Sequence, residues 1–369
     1  MNNQKIKNII TNLDSNNLDA IALVPGSNFR YLTGGNFHLM ERPTLFIISK
    51  TIKPIAILPV LEIDKFSKLN IDAEIIEWQD SDGYQSAFDK AFNKLHSITK
   101  LGVEGQRMRV FEMQAILKTS KNLSILNAQK FISEIRLLKD TEEVQNLRKA
   151  IKIAEISLQN TIKFVEINKT EIEIKKFLIQ QLFHNGAEDL AFDPIVLAGD
   201  NSALPHGNSR NDYLIKKGDC LLFDFGATIN GYHSDITRTF FVGSVSDENK
   251  NIYQAVQKAN ELGKKISKPN LTLHELDDAV LNSLSDSGYL DLIVHKTGHG
   301  LGMDVHEDPY VMRNNLEELK SGMVITIEPG LYKKGSLGVR IEDDVLINDQ
   351  GCESLSNFPR NLSIIYLYT

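Results

Sequence analysis

The second half of the chain carries one plan twice. Gly218-Asp-Cys-Leu-Leu-Phe-Asp224-Phe-Gly226 sets beside Gly322-Met-Val-Ile-Thr-Ile-Glu328-Pro-Gly330, with an acid six positions after one glycine and two before the next. Upstream, Thr170-Glu-Ile-Glu173 opens a helical pattern that ends at Gly186, and Thr272-Leu-His-Glu275 opens one that ends at Gly288, sixteen positions on in both cases. Each of these helices is preceded by another long helical pattern, at 141–167 and 247–267, and followed by strands. A duplication of this kind constrains the fold more than any single motif does: it predicts two related halves with a pseudo-twofold relation, closing on one centre.

The repeat starts near residue 140 and leaves an N-terminal stretch to be explained. A chain of 369 residues exceeds what one hydrophobic core usually organises, so two domains are expected. Residues 18–24, 44–49 and 53–60 are short β-rich apolar runs, and helical patterns lie at 3–16, 61–69, 84–96 and 108–120. These predict an α/β N-terminal domain over 1–128, without a phosphate-cradling glycine loop. The C-terminal domain, 129–369, is expected to be α+β and to open on a long amphipathic helix that starts at Asp140, with Glu143 completing a capping box.

Charge restricts the partners. Lys+Arg 41 against Asp+Glu 48 gives a net charge of -7, which argues against nucleic acid or an anionic membrane surface as ligand. The first residues lack an apolar signal region and no run is long enough to span a membrane, so a cytoplasmic location is expected. Cys220 and Cys352 are then reduced and form no thiolate cluster. Six of the nine histidines fall between 206 and 306, which places the chemistry in the second half.

Each repeated strand carries an acid at the end of an apolar run, then turns and returns to a second acid, Asp235 in the first copy and Glu342 in the second. One such acid alone is readily a solvated strand end. In the first copy Asn230-Gly231 signals a two-residue type I′ turn. With that register Asp235 lies opposite Gly226, and Asp224 lies two residues along on the same face, so the carboxylates are diagonal neighbours. Several carboxylates on one face repel by roughly 4 kcal/mol per pair at 4 Å and an effective dielectric near 20. Arg238 and Arg340 are too few to neutralise four acids, whereas two divalent cations sharing bridging carboxylates would do so.

A histidine follows in Thr297-Gly-His299-Gly-Leu-Gly302-Met-Asp-Val-His306-Glu-Asp-Pro309, bracketed by glycines that permit close approach to a metal or another strand. With Ile327-Glu328-Pro-Gly and Val339-Arg340-Ile-Glu342-Asp after it, the region from about 140 to 360 resembles the pita-bread metallopeptidases, the superfamily of methionine aminopeptidase, aminopeptidase P and prolidase. The resemblance implies a pita-bread (creatinase/aminopeptidase-like) C-terminal domain. It implies that Asp224 chelates a first metal, Asp235 and Glu342 bridge both, and His299 and Glu328 complete the second. It extends to His206 in Ala203-Leu-Pro-His206-Gly, to His306 and to Arg340. Lys296 stands where small or aromatic residues are more usual in the family, a minor departure.

The N-terminal domain, with Asn28-Phe-Arg-Tyr31-Leu-Thr-Gly34 similar to an early strand-turn segment of prolidases, points away from methionine aminopeptidase, which usually lacks such a domain. Creatinase has the fold without the metal ligands, and the full ligand set here argues against it and against a non-catalytic binding protein. The expected activity is hydrolysis of Xaa-Pro bonds in small proline-containing peptides, most simply dipeptides, with aminopeptidase P as the alternative. Two divalent ions per chain are expected, Mn²⁺, Co²⁺, Zn²⁺ or Fe²⁺ by donor type, with a slight preference for Mn²⁺. Glu328 is the candidate general base and proton shuttle. His206 and His306 would hydrogen-bond the oxyanion and the substrate backbone, and Arg340 would orient the acids. Arg313 is the candidate partner of the substrate carboxylate by analogy with related prolidases. By the same resemblance the chain forms a homodimer, in which His38 could reach a neighbouring subunit's site. His233 is read as a surface or supporting residue, and His184, His274 and His295 as helix-surface or packing residues.

Overall fold

In a computed structural model, which describes residues 2–366, the chain divides into two units, one ending at Arg136 and the other beginning at Leu137. Residues 1 and 367–369 of the two expected domain ranges lie outside the described residues. The division falls beyond the expected 128/129 because the short helix Gln129–Glu134 turns Phe131 and Ile132 into the same core as Ala128.

The first unit is built on a six-stranded sheet. The three apolar runs become Ala20–Leu23, Leu45–Ser49 and Ile55–Pro59, all buried on both faces. Alternation then sorts the side chains: Ala20, Ala22 and Val24 enter one core, Ile21 and Leu23 the other. Ala20–Leu23 pairs antiparallel with Leu45–Ser49 and parallel with Lys100–Val103, so the sheet is mixed. The edge strands Glu74–Trp78 and Ser124–Asn127 were not anticipated, because they are partly exposed and carry too few apolar residues to stand out. A further difference is the segment 28–34, expected as strand and turn. It is a helix, Ser27–Thr33, which buries Phe29 and Leu32 one turn apart and ends at Gly34 in the left-handed region (φ 79).

The second unit repeats itself in geometry as well as in pattern. Asp140 caps the helix Thr141–Phe164 and Glu143 returns the bond, as the capping box requires. The helices Glu171–His184 and Leu273–Asp286 are capped identically, by Thr170 with Glu173 and by Thr272 with Glu275. Just before each cap an asparagine, Asn168 or Asn270, takes φ 68 and donates its N–H to a carbonyl, of Ile215 or Leu319. Thr170 then bridges to Leu214 and Thr272 to Glu318. Equivalent bonds at equivalent places show that the two halves share one plan.

Two sheets follow from the repeat. One holds Ile195–Ala198, Cys220–Phe225, Ile236–Val242 and Ile364–Ile365. The other holds Gly298–Gly300, Glu307–Val311, Val324–Ile327, Asp343–Asn348 and Gly351–Ser354. The helices Asp247–Ile266 and Leu273–Asp286 lay Ile252, Val256, Leu276 and Val280 against Ile325, Ile327 and Val345, forming the core beneath the second sheet. Among the described residues no helix is long and apolar enough to cross a membrane.

Candidate metal centre

The register of the first hairpin is the one its turn demands. Asn230 and Gly231 have φ 52 and 81, as a type I′ turn requires. The pairs Ile229↔Tyr232, Thr228↔His233, Ile236↔Phe225 and Thr237↔Asp224 all keep one offset, so no bulge intervenes. Asp235 therefore lies opposite Gly226 and shares a face with Asp224. In the second copy Ile327↔Asp343 and Gly330↔Arg340 also keep one offset, which sets Glu328 opposite Glu342. The hairpins are tied to each other by Glu342 N–H to Thr237 O at 3.1 Å and by the Thr237 hydroxyl to Glu342 Oε2 at 2.6 Å.

His299 comes from the short strand Gly298–Gly300, whose neighbouring strand is irregular between His299 and Gly300. Its glycines serve neighbouring strands: a Cβ at Gly298 would lie 2.0 Å from the Thr326 carbonyl oxygen, and one at Gly300 2.3 Å from that of Asp308. The His299 ring is buried, which drops its pKa to about 3 and keeps the imidazole neutral. Its Nδ1 sits 3.1 Å from Gly300 O, so the proton belongs there and the Nε2 lone pair is turned inward. That lone pair meets Glu328 Oε1 at 3.4 Å and Asp235 Oδ2 at 3.7 Å.

Such an assembly of acceptors needs a positive charge. Asp224, Asp235 and Glu342 offer oxygens within 4.8 Å of one another, and so do the donor atoms of His299, Glu328 and Glu342. Asp224 Oδ1 is buried without a hydrogen-bond partner. Burial, and then the neighbouring acids, push Asp235 and Glu342 well above the usual carboxylate range, and burial takes Glu328 up to about 7. Oxygen and imidazole donors in overlapping groups, one of which also takes in His306, with an orphaned carboxylate oxygen among them, fit divalent cations, and the five residues expected as ligands lie together there.

The arginines divide the work differently from the sequence-level charge argument. Arg238 turns away, to Asp343 and to backbone carbonyls. Arg340 alone reaches the acids: one Nη holds Asp224, the other donates to the Tyr332 hydroxyl at 2.6 Å, and Nε donates to Thr237 at 3.0 Å.

The acids form the floor of a cleft of about 410 Å³, which His206 and His306 also line. The His306 ring stands edge-on to His299 with centroids 4.1 Å apart, and burial followed by Lys296 lowers its pKa. The apolar part of the wall comes from Phe192, Ile195, Pro205 and Val305. Two expected binding residues are not brought there. Arg313 is half exposed and bonded to Asp278 at 3.2 Å, since its loop carries it to the outer surface of the helix Leu273–Asp286. His38 is exposed in the first unit, where it lines a small pocket with Arg42 and Glu62. His233 is bound between Thr228 and Met303 and does not line the cleft. His274 accepts the Asn314 N–H, and His184 lies in the last turn of its helix.

Two cleft residues were missed. His295, expected as a packing residue, is half-buried in the cleft wall, with Nδ1 to Lys296 O and Nε2 to the Tyr332 hydroxyl, both at 2.8 Å. It completes a chain of bonds through Tyr332 and Arg340 to Asp224. Lys296 itself faces the cleft, with its ammonium 4.5 Å above the Tyr310 ring. Only the departure at position 296 carried a signal in the sequence.

Comparison with known proteins agrees with this geometry. Residues 145–349 match metallopeptidase family M24, and residues 5–138 match the creatinase/prolidase N-terminal domain. An uncharacterized peptidase of Staphylococcus aureus is 31% identical over 96% of this chain and 99% of its own length. Among solved structures, a prolidase from Thermococcus sibiricus superposes with a TM-score of 0.93 at 33% identity over 99% of both chains. A Xaa-Pro dipeptidase from Bacillus anthracis gives 0.91 at 31% over 99% of this chain and 100% of its own. An X-Pro aminopeptidase from Thermotoga maritima gives 0.84 at 30% over 98% and 99%.

Proposed function

Because the chain belongs to metallopeptidase family M24 and carries a creatinase/prolidase N-terminal domain, we propose that it is a two-metal exopeptidase that hydrolyses Xaa-Pro bonds, preferentially in dipeptides. The observation that carries this reading is the convergence of Asp224, Asp235, His299, Glu328 and Glu342 on the floor of one cleft. The prolidase and dipeptidase neighbours support the choice of bond.

Two divalent cations held by these five side chains would polarise the scissile carbonyl and bring the pKa of the attacking water to about 7. The remaining work belongs to the protein. Glu328 takes the proton from that water and returns it to the departing proline nitrogen, a role worth about 10²–10⁴-fold in rate. His306 and His206 present ring N–H groups to the carbonyl oxygen as it gains charge and to the substrate backbone. Arg340 fixes the Asp224 carboxylate and so the geometry of the acids. The apolar wall of Phe192, Ile195, Pro205 and Val305 suits a pyrrolidine ring.

The Thermotoga neighbour keeps a second reading in play, aminopeptidase P acting on longer peptides. The two separate in one experiment: chelate the purified protein, restore Mn²⁺, and compare kcat/KM for Ala-Pro and Ala-Pro-Ala. Faster hydrolysis of the dipeptide is expected, and the tripeptide winning would give the chain to the second reading. Substituting Co²⁺ or Zn²⁺ in the same assay tests the expectation of manganese, and sedimentation tests that of a homodimer.

A further inference from the structure

A dipeptidase has to recognise a full negative charge that longer peptides lack at the same place, the free carboxylate of the C-terminal residue. Such a group needs a cation in the cleft. The lining residues include two, Arg340 and Lys296. All three edges of the Arg340 guanidinium are engaged, by Asp224, Tyr332 and Thr237. Arg313 is outside the cleft and already paired with Asp278. Resting on the Xaa-Pro peptidase reading above, we propose that the Lys296 ammonium receives the substrate's C-terminal carboxylate and thereby selects dipeptides.

Lys296 is placed for this. Its backbone is fixed on both sides, by His295 Nδ1 on its carbonyl at 2.8 Å and by the Thr297 N–H on Asp277 at 2.8 Å. Its ammonium lies over the face of Tyr310 at 4.5 Å, and among the described residues no carboxylate comes within ion-pair distance of it. An aromatic face holds an ammonium in position without neutralising it, so the charge remains available to a ligand. A peptide extended beyond proline would offer Lys296 a neutral carbonyl in place of a carboxylate and forgo the charge-assisted bond.

The experiment compares Ala-Pro with Ala-Pro amide, which differ only in that charge, using wild type, Lys296→Met and Lys296→Arg loaded with Mn²⁺. Metal content and thermal melting are checked for each protein. Wild type is expected to prefer the acid, and in Lys296→Met the ratio of kcat/KM for acid over amide is expected to fall about 10- to 100-fold, mainly through KM. Lys296→Arg is expected to keep the preference. A ratio in Lys296→Met equal to that of wild type, in folded and metal-loaded protein, would overturn the proposal. Calorimetric binding of free proline and prolinamide gives a readout independent of turnover. Proline binding that depends on Lys296 in a protein that hydrolyses neither substrate would sink the peptidase reading while leaving the carboxylate site standing.

Discussion

The Nε2 atom of His299 lies 3.4 Å from Oε1 of Glu328, and both atoms are acceptors, since the His299 proton sits on Nδ1 and the ring is held neutral by burial. Without a cation the contact is repulsive unless Glu328 is protonated. Its pKa of about 7 against a usual 4.5 sets the sign. The folded state binds this proton more tightly than the unfolded state does, so metal-free protein loses stability as pH rises from about 4.5 to about 7 on account of this group. Glu328→Gln removes that loss. Stripped of metal at pH 8, the variant is expected to be more stable than wild type by up to about 3 kcal/mol, with the gain vanishing below pH 4.5. Calorimetric melting across pH checks this, and a gain independent of pH would contradict it. With metal restored, the same variant should lose at least about 10²-fold in kcat.

The parts of this site that were legible in the sequence are those fixed by local rules. Asn230-Gly231 dictates a turn, the turn dictates a register, and the register brings Asp224 and Asp235 to one face. The Thr170 and Thr272 caps are likewise local and could be read directly. What could not be read depends on the path of the chain between elements. His295 and Lys296 follow a 3₁₀ turn at Leu290–Leu292, and nothing in a helical or strand period says that they end in the cleft wall. Arg313 lies beyond the strand Glu307–Val311, and that path takes it outward. In the first unit, Ser124–Asn127 was missed because an exposed edge strand has no apolar face to announce it.

Among the described residues Arg340 is the only Lys or Arg that bonds to the side chain of a proposed metal ligand, through Asp224. Arg340→Ala would leave the Asp224 carboxylate without its partner and the Tyr332 hydroxyl without its donor. Supporting bonds of this kind typically contribute about 10- to 100-fold to metal affinity. Titration against a competing chelator is expected to show a weakening of that order, with a smaller effect for Tyr332→Phe, which leaves the Asp224 contact intact.

Asp343 stands next to Glu342 in sequence but faces the opposite way, into Arg238 at 2.7 Å, Lys264 at 2.7 Å and Arg360. Burial would raise its pKa, yet the three cations hold it well below the usual range. Asp343→Asn exposes those buried cations to one another, and loss of one partner of a buried pair costs about 3–5 kcal/mol. Urea unfolding should show this loss. Metal content at saturating Mn²⁺ should remain that of wild type, which separates Asp343 from its neighbour Glu342.

Lys139 and Glu307 form a buried ion pair at 2.7 Å, with side chains 1% and 5% exposed. The pair anchors the loop that carries His306: Glu307 also accepts the Asp304 N–H at 3.2 Å, while Lys139 donates its own N–H to Gly322 O at 2.7 Å, at the start of the second repeated strand. Lys139→Met would take the ammonium away from the buried Glu307 carboxylate, and breaking a buried pair at one partner costs about 3–5 kcal/mol, whereas removing both charges should cost less than either single change. The double-mutant cycle of Lys139→Met and Glu307→Gln measures that coupling by urea unfolding. If the pair also positions His306, both single variants should lower kcat on Ala-Pro at unchanged metal content, and the double variant, which lacks the pair's charges and its anchor alike, should not recover it. Recovery of kcat along with stability would mean that the pair supports the fold alone.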